Sequence, residues 1–360
     1  MAVRSFRNIS SVRMATNSQF VVFYGVNGAG KTSLLESAYV LSSLRSFRES
    51  SPLNLIKFGD VAASIEGQVT SYLGRQKMLW GYHRQRKGRL LQIDGKNIHD
   101  VKVWFQPLRS ILFCPEHISI IKGAPEMRRQ FVDRAKFTSN PAYLDIYRKY
   151  TQVLAQKREL LKKEHVKVEE LQPWNEQLID YGTKVTIQRQ SILKELEKPF
   201  QQMHNFLANG EQVRLQLRGI GSAEKEKVRE RITSLVNRAT EEEIKKRQVL
   251  VGPHRDDLYV LMNDMPARQF ASQGQIRTIV ISLKLAELEA ARIRGENPLF
   301  LLDDLSSELD YKRMTKLVQM LSERDGQVWI TTTNPNFLSS LPETRLSRFQ
   351  VENGAVKQDK

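Results

Sequence analysis

The chain has 360 residues, 40% hydrophobic and 27% charged, enough for a large folded core with a well-solvated surface. Lysine and arginine outnumber acidic residues by 56 to 40, and the net charge of +16 favours nucleic acid or an anionic membrane surface as partner, although a basic but ordinary enzyme has the same balance. The single cysteine, Cys114, excludes an intramolecular disulfide and a cysteine-based zinc site. No stretch approaches the roughly 18 apolar residues of a membrane helix, and residues 1–20 lack the apolar segment of a signal peptide, so the expected location is the cytoplasm.

The first third of the chain predicts strands around one helix. The apolar run 19–24 predicts a buried strand that stops at Gly25, and residues 32–44 carry apolar side chains at helical spacing. Residues 60–113 contain strand-like segments separated by turn residues, and the basic stretch 83–89 among them is expected in a hairpin tip or loop.

The middle of the chain, from about residue 126 to 246, predicts a mostly helical insertion. Glycine becomes rare there, and charged residues alternate with leucine, isoleucine and valine at helical spacing. No apolar heptad is sustained, and Pro173 and Pro199 are expected to interrupt the helices. Helices of roughly 20 to 25 residues would reach about 30 to 40 Å, which makes an arm and not a long rod.

Strands and helices alternate again after the insertion. The predicted segments are strands at 248–251, 299–302 and 328–331 and helices at 272–293 and 311–322. Alternation at both ends of the chain predicts an α/β fold, a mixed sheet with helices interrupted by a helical arm. We expect residues 1–138 and 246–360 to form one discontinuous α/β head and residues 139–245 to form the arm subdomain.

The segment Gly25-Val-Asn-Gly-Ala-Gly-Lys31-Thr32 fits the phosphate-binding pattern G-x-x-x-x-G-K-[ST] completely, between a predicted strand and helix. Its glycines let backbone N–H groups turn toward phosphates, and the helix adds its positive N-terminal end. Lys31 is expected to reach the β- and γ-phosphates and Thr32 to ligate Mg²⁺. The predicted nucleotide-binding residues are Gly25, Val26, Asn27, Gly28, Ala29, Gly30, Lys31, Thr32 and Ser33.

A second motif supplies acids for the same site. The apolar segment 298–302 is followed by Asp303, expected to act on Mg²⁺ through water, and by Asp304, placed to polarise the attacking water. Asp303, Asp304 and Lys31 are the candidate catalytic residues. Because Asp304 is one methylene shorter than a glutamate, it is expected to position water less well, which predicts slow hydrolysis.

Two further motifs resemble those of ATP-binding-cassette ATPases. Ala271-Ser272-Gln273-Gly274-Gln275 corresponds to the L-S-G-G-Q signature with two replacements, and Ser307-Glu-Leu-Asp310 matches the D-loop. In isolation Ser272 is better explained as an ordinary helix N-cap, but the order of signature, acidic strand and D-loop favours a γ-phosphate receptor.

In that class, the signature of one subunit covers the ATP of the other. The resemblance therefore implies an ATP-dependent homodimer, with the signature of a second copy acting in trans. Thr333 follows the last predicted strand, where such ATPases often carry a switch histidine, and it is the candidate γ-phosphate sensor.

Longer segments resemble the bacterial RecF family in particular. They are Asn27-Gly-Ala-Gly-Lys-Thr-Ser-Leu-Leu-Glu36, Arg45-Ser-Phe-Arg48, Cys114-Pro-Glu116, the stretch 121–133 and Val251-Gly-Pro-His-Arg-Asp-Asp-Leu258. The resemblance implies ATP-dependent binding to double-stranded DNA near single-strand gaps, with weak, DNA-stimulated ATP hydrolysis as a switch. It also implies that RecO and RecR act with the protein to load RecA on gapped DNA, in recombinational repair and the SOS response.

Basic residues give candidate DNA contacts that do not depend on the resemblance. They are Arg84, Arg86, Lys87 and Arg89 at the predicted hairpin tip, and Arg128 and Arg129 in a helical stretch. Phosphate contacts of this kind give salt-dependent, sequence-independent affinity. For any one of these residues, a solvated basic face is the more ordinary explanation.

Other functions stay open at this point. Another SMC/Rad50-like head ATPase of DNA repair is the main alternative, although a structural chromosome protein of that type needs hundreds of coiled-coil residues. A transporter ATPase subunit needs a membrane-coupling surface, and a small-molecule kinase leaves the signature unexplained. His254-Arg-Asp-Asp257 could hold a metal for nuclease chemistry, but neighbours on a strand point to opposite faces, and Arg255 is expected to serve ATP or DNA.

Overall fold

The computed structural model describes residues 1–86, 88–208, 210–220, 224–339 and 341–359. Its β-strands are, in chain order, β1 (Ala2–Phe6), β2 (Ile9–Arg13), β3 (Phe20–Tyr24), β4 (Ala62–Ser71), β5 (Gly74–His83), β6 (Arg89–Ile93), β7 (Lys96–Asn97), β8 (Ser110–Phe113), β9 (Val213–Arg218), β10 (Asp257–Met262), β11 (Met265–Pro266), β12 (Leu299–Leu302), β13 (Val328–Thr332), β14 (Leu346–Glu352) and β15 (Ala355–Gln358). Its α-helices are α1 (Lys31–Ser43), α2 (Val101–Trp104), α3 (Ser119–Lys122), α4 (Pro125–Ser139), α5 (Tyr143–Leu161), α6 (Val168–Leu207), α7 (Lys225–Lys246), α8 (Ala267–Phe270), α9 (Gln273–Ile293), α10 (Leu305–Glu308) and α11 (Tyr311–Ser322).

The chain divides into two compact units. The first consists of Met1–His117 together with Leu288–Lys360, and the second of Ile118–Glu287. The predicted arm, 139–245, lies inside the second unit, and its own boundaries within that unit stay a prediction.

The first unit has two sheets with helix α1 packed against strands of both. One sheet is antiparallel, in the order β2-β1-β4-β5-β6-β7, and the other has the order β15-β14-β3-β13-β12-β8. In the second sheet the neighbours from β14 to β8 run parallel and only β15 is antiparallel. The predicted α/β fold with a mixed sheet is confirmed.

The parallel strands explain where a site can form in this unit. Strands β3, β8, β12 and β13 are short apolar runs buried along nearly their whole length, as expected for a sheet covered on both faces. Their carboxyl ends meet at one edge of the sheet, which is where ligands bind in such folds. The phosphate loop, the segment after β8, the two acids after β12 and the threonines at the end of β13 therefore converge.

The second unit is mostly helical, as predicted. Helices α5, α6 and α7 share an apolar core built from side chains such as Tyr150, Leu178 and Val236. A small antiparallel sheet, β11-β10-β9, accompanies these helices. None of the described helices of either unit is long and apolar enough to cross a bilayer.

The prediction that Pro173 and Pro199 interrupt the helices of the arm was wrong, as helix α6 shows. It runs for 40 residues with both prolines inside it, which corresponds to about 60 Å. Each proline removes one intrahelical hydrogen bond, but the helix continues because its apolar face remains packed. Leu178, Leu196 and Phe200 on that face are fully buried. Tertiary packing thus outweighs the local helix-breaking tendency.

Two other predictions about strands were wrong. The expected strand at 248–251 is irregular, and it leads into a short 3₁₀ helix, Pro253–Arg255, ahead of β10. Strand 328–331 is not the last one, because β14 pairs with β3 and β15 completes a hairpin with β14. The turn of that hairpin is Asn353-Gly354, a pair with strong turn preference that the sequence analysis overlooked.

Candidate nucleotide-binding site

The phosphate loop lies between β3 and α1 in the first unit. Gly28 and Gly30 have φ values of 81° and 114°, conformations that favour glycine. A Cβ at Gly30 would also lie 2.9 Å from the side-chain nitrogen of Asn8. Gly30 is the N-cap of α1 and supplies no side-chain cap, so backbone N–H groups at this helix start face the site that an anion would fill.

Lys31 is folded over its own loop. Its Nζ donates hydrogen bonds to the carbonyl oxygens of Gly25 and Val26, both at 2.8 Å. Burial lowers the pKa of Lys31, while Asp304 and Asp303 act in the opposite direction. A triphosphate would offer this ammonium group charged acceptors, which form stronger hydrogen bonds than carbonyl oxygens do.

Asp303 joins the phosphate loop to strand β13. The hydroxyl of Thr32 donates to Asp303 Oδ1 at 2.9 Å, and that of Thr331 donates to the same oxygen at 2.6 Å. Burial raises the pKa of Asp303, and the two hydroxyl hydrogen bonds oppose this effect. The structure thus brings together the two residues, Thr32 and Asp303, that the sequence predicted at the metal.

Asp304 lies at the start of α10 in a left-handed conformation, with φ of 49°. Its backbone N–H donates to Thr331 Oγ1 at 2.8 Å, and its Oδ2 accepts a hydrogen bond from the Ser307 hydroxyl at 2.7 Å. The predicted D-loop residue Ser307 therefore contacts the candidate catalytic carboxylate directly. Asp310, the other D-loop residue, caps α11 by accepting from the Arg313 backbone N–H at 2.9 Å.

The cleft, about 890 Å³ in volume, includes residues that the sequence analysis did not propose. Glu116 and Arg7 line it, and the Arg7 guanidinium forms two hydrogen bonds, of 2.9 and 2.7 Å, with fully buried Glu36. Glu116 could have been found, because it follows β8 and the neighbouring strand β12 ends in Asp303. Thr331 also lines the cleft, but the sequence analysis chose Thr333 as the candidate γ-phosphate sensor. Thr333 is exposed beyond β13 and does not line the cleft.

The signature segment 272–275 belongs to the second unit, at the start of α9. Ser272, Gln273 and Gly274 are exposed. The Ser272 backbone N–H donates to Gln275 Oε1 at 2.8 Å, and the Gln275 N–H donates to Ser272 Oγ at 3.3 Å. This reciprocal pair is a capping box, with glutamine in the third position. The ordinary N-cap role of Ser272 is therefore present, and its exposure leaves it accessible to a ligand.

The basic residues proposed for DNA contact differ in their exposure. Arg84 and Arg86 are exposed between β5 and β6 and Arg89 is exposed at the start of β6, whereas Lys87 lies outside the described residues. The proposal for Arg128 needs correction, since this residue is only 4% exposed and its guanidinium bonds to both oxygens of Asp257, at 2.6 and 3.0 Å. Arg129 is half-buried and donates to a backbone carbonyl at 2.9 Å.

The segment His254-Arg-Asp-Asp257 does not resemble a nuclease metal site. His254 Nδ1 is bonded to the Tyr150 hydroxyl at 2.6 Å, and burial lowers the pKa of His254 to about 4. Buried Asp256 faces Arg189 at 3.7 Å, and burial raises its pKa to about 6. Among the described residues, no three histidine, cysteine, aspartate or glutamate side chains cluster as a metal site would require.

Comparison with known proteins identifies the family. The model for the RecF/RecN/SMC N-terminal domain matches residues 1–357. A curated relative named DNA replication and repair protein RecF, from Geobacter sp. strain M21, is 36% identical over 93% of this chain and 92% of its own length. The chain belongs to the RecF family. A second RecF relative, from Citrifermentans bemidjiense, is 37% identical over 93% of this chain and 92% of its own length.

Solved structures agree with this family. A structure described as the recombination mediator protein RecF with ATP in the RecFOR pathway has a TM-score of 0.90 and 28% identity, covering 100% of this chain and 96% of that chain. An SMC head bound to a domain of ScpA has a TM-score of 0.58 and 12% identity, covering 99% and 95%, and shows similarity of fold alone. The family and fold resemblance inferred from the sequence is confirmed.

Proposed function

We propose that this chain is an ATP-dependent DNA-binding switch of recombinational repair. In this proposal two copies close on ATP and hold double-stranded DNA at single-strand gaps, and slow, DNA-stimulated hydrolysis releases them. Together with RecO and RecR, the switch assists the loading of RecA. Membership of the RecF family, with its DNA replication and repair proteins, supports the repair role.

One observation carries the proposal: the phosphate loop and the acidic strand end meet in a single cleft of the first unit. Thr32 and Asp303 lie 2.9 Å apart, oxygen to oxygen, and Lys31 and Asp304 line the same cleft. This is the arrangement by which P-loop ATPases hold a triphosphate and its metal. The similar solved structure described as RecF with ATP supports ATP as the nucleotide.

The residues present fit Mg²⁺. The Thr32 hydroxyl and the Asp303 carboxylate are hard oxygen ligands held side by side by the fold. We propose Thr32 as a direct ligand and Asp303 as a ligand through water. The metal, when bound, would neutralise charge on the β- and γ-phosphates. Asp304 would orient the attacking water, and its short side chain favours slow turnover.

The exposed signature supports completion of the site by a second copy. Ser272 and Gly274 are exposed at the start of α9, where a hydroxyl and helix N–H groups can receive a phosphate. We propose that they receive the γ-phosphate held by the other copy, with Ser307 and Asp310 near the junction. Thr333 remains the proposed γ-phosphate sensor, and Thr331 is better placed in this structure because it bonds to both Asp303 and Asp304.

Charge supports DNA as the partner. The chain carries a net charge of +16, and Arg84, Arg86 and Arg89 are exposed on one hairpin. Such residues neutralise backbone phosphates without selecting a sequence. Another SMC/Rad50-like head ATPase of DNA repair would share these features and is the second candidate. A transporter subunit is disfavoured because the basic surface suits nucleic acid.

Duplex binding measured with and without ATP, at two salt concentrations, tests the proposal. We expect ATP to strengthen binding about tenfold or more in the wild type and affinity to fall steeply with salt. Lys31→Arg should lose the ATP effect, because a guanidinium cannot replace the compact ammonium at the phosphates. Lys77→Arg, the same change at an exposed lysine, serves as the matched control. A wild-type affinity for duplex DNA that is the same with and without ATP would contradict the proposed switch.

A further inference from the structure

We propose that Glu211, held by buried His204, is a positioning residue that orients the signature segment 272–275. The inference rests on the proposed function, in which this segment receives the ATP of a second copy. It adds two residues that lie outside every motif of the site. It also connects the signature to the end of the long arm helix α6.

A chain of hydrogen bonds leads from α6 to the signature within the second unit. His204, in the last turn of α6, pairs through Nε2 with Glu211 Oε2 at 3.0 Å. The other oxygen of Glu211 accepts from Gln275 Nε2 at 2.8 Å. Gln275 Oε1 in turn accepts from the Ser272 backbone N–H at 2.8 Å.

Glu211 determines which way the Gln275 amide faces. An ionised carboxylate only accepts hydrogen bonds, so the NH₂ group of Gln275 must point toward Glu211. The amide oxygen is then turned toward the N–H of Ser272. Without Glu211, a flipped amide would place its NH₂ against that N–H, and the cap would be lost. The carboxylate thus selects one rotamer of the signature glutamine.

The same arrangement leaves the Ser272 hydroxyl proton available for a ligand. Ser272 Oγ accepts from the backbone N–H of Gln275 at 3.3 Å, which uses a lone pair and not the proton. An exposed hydroxyl whose oxygen is fixed in this way can donate to a phosphate oxygen. By orienting Gln275, Glu211 therefore also orients the Ser272 hydroxyl, which is the donor that we propose for the γ-phosphate.

His204 fixes Glu211 from the buried side. Its side chain is 0% exposed, and its Nδ1 lies 3.4 Å from Ser282 Oγ. Ser282 donates its own proton to the Thr278 carbonyl at 2.7 Å, so toward His204 it can only accept. Contacts at both ring nitrogens therefore fix the orientation of the imidazole that holds Glu211.

Three variants separate positioning from folding. Glu211→Ala removes the acceptor for Gln275. Glu211→Gln keeps the shape, and its amide oxygen can accept from Gln275 Nε2, so it should rescue the signature. Glu197→Ala is the control, because this α6 carboxylate accepts from the Leu215 backbone N–H and not from the signature.

The experiment measures dimerisation of the full chain by sedimentation with a slowly hydrolysed ATP analogue, alongside analogue binding to the monomer and thermal unfolding. We expect Glu211→Ala to weaken the dimer about 100-fold, the effect of about one well-placed hydrogen bond at each of the two signatures. Monomer affinity for the analogue should be unchanged. Glu211→Gln and Glu197→Ala should both dimerise within about twofold of the wild type.

The outcomes distinguish this inference from the function it rests on. If Glu211→Ala dimerises as the wild type does, or Glu211→Gln is as impaired as the alanine variant, Glu211 does not position the signature. A wild type that stays monomeric with the analogue overturns the dimer itself. If Glu211→Ala unfolds, Gln275→Glu is the substitute variant, because it sets a second carboxylate against Glu211. It must weaken the dimer as much as expected for Glu211→Ala, and an undiminished dimer would overturn the inference.

Discussion

Asp304 is the residue on which the rate of the proposed switch depends. Its carboxylate accepts from Ser307 and its backbone N–H is bonded to Thr331, so its position is fixed from two sides. A fixed carboxylate beside the phosphate loop is suited to orient water. Its left-handed backbone, with φ of 49°, is a conformation that few residues other than aspartate, asparagine and glycine adopt readily.

Replacement of Asp304 by asparagine tests this role. Asparagine keeps the shape and the backbone conformation but cannot take up a proton, so we expect single-turnover hydrolysis to fall about 100-fold. ATP binding should change little. Asp100→Asn, at the cap of α2 and outside the cleft, is the matched control and should leave hydrolysis near the wild-type rate. Unchanged hydrolysis in Asp304→Asn would remove Asp304 from the catalytic residues.

At the scale of residues, the sequence predicted side chains that directly follow a buried strand. It missed residues whose surroundings depend on a partner distant in the chain. Lys31, Thr32 and Asp303 could be predicted from the sequence because their motifs are contiguous. The burial of Arg128 could not be found, since its acceptor Asp257 is distant in the chain. Choosing among the three threonines at 331–333 requires knowing where β13 ends.

At the scale of elements, helices α5 and α7 are joined by an ion pair without solvent. Lys157 Nζ lies 2.6 Å from Glu243 Oε2, and both side chains are 0% exposed. Burial lowers the pKa of Lys157, while Glu243 acts in the opposite direction. Glu243 also accepts from the Leu250 backbone N–H at 2.7 Å, which anchors the irregular segment after α7.

Breaking this pair should cost stability because one charge would remain buried alone. We expect Lys157→Met to lower the free energy of unfolding by about 3 kcal/mol, measured by chemical denaturation. Adding Glu243→Gln, which removes the charge, should restore most of the loss. Lys162→Met breaks an exposed pair with Glu159 and should change stability by less than about 0.5 kcal/mol. Equal losses of unfolding free energy in Lys157→Met and Lys162→Met would contradict this argument.

The elements also show where sequence patterns fail. The spacing of apolar residues gave the helical character of the insertion, but two prolines suggested breaks that packing overrides in α6. Residues 248–251 have strand-like composition, yet their backbone is held by Glu243 and His254 instead of a strand partner. Composition records the local preference of a segment, whereas the contacts at 248–251 are made by individual side chains five and seven residues away.

At the scale of the whole molecule, the prediction concerns two copies. If the exposed signature meets the ATP of a second copy, a large cation at Ser272 should block the contact. We expect Ser272→Arg to stay monomeric with an ATP analogue in sedimentation while binding the analogue as the wild type does, because the phosphate loop is elsewhere in the chain. Lys96→Arg, at an exposed residue of β7, is the control. Dimerisation of Ser272→Arg would exclude the signature as the contact.

The order of strands in the mixed sheet has a consequence for synthesis on the ribosome. Strand β3 lies between β13 and β14, and β8 pairs with β12, so both early strands wait for partners encoded in the last part of the chain. The second unit, in contrast, is continuous and is made in between. Because domains generally fold as they emerge, it can fold first. The nascent chain thus completes its cleft only near the end of translation, and until then the apolar β3 and β8 are open to aggregation or to chaperones.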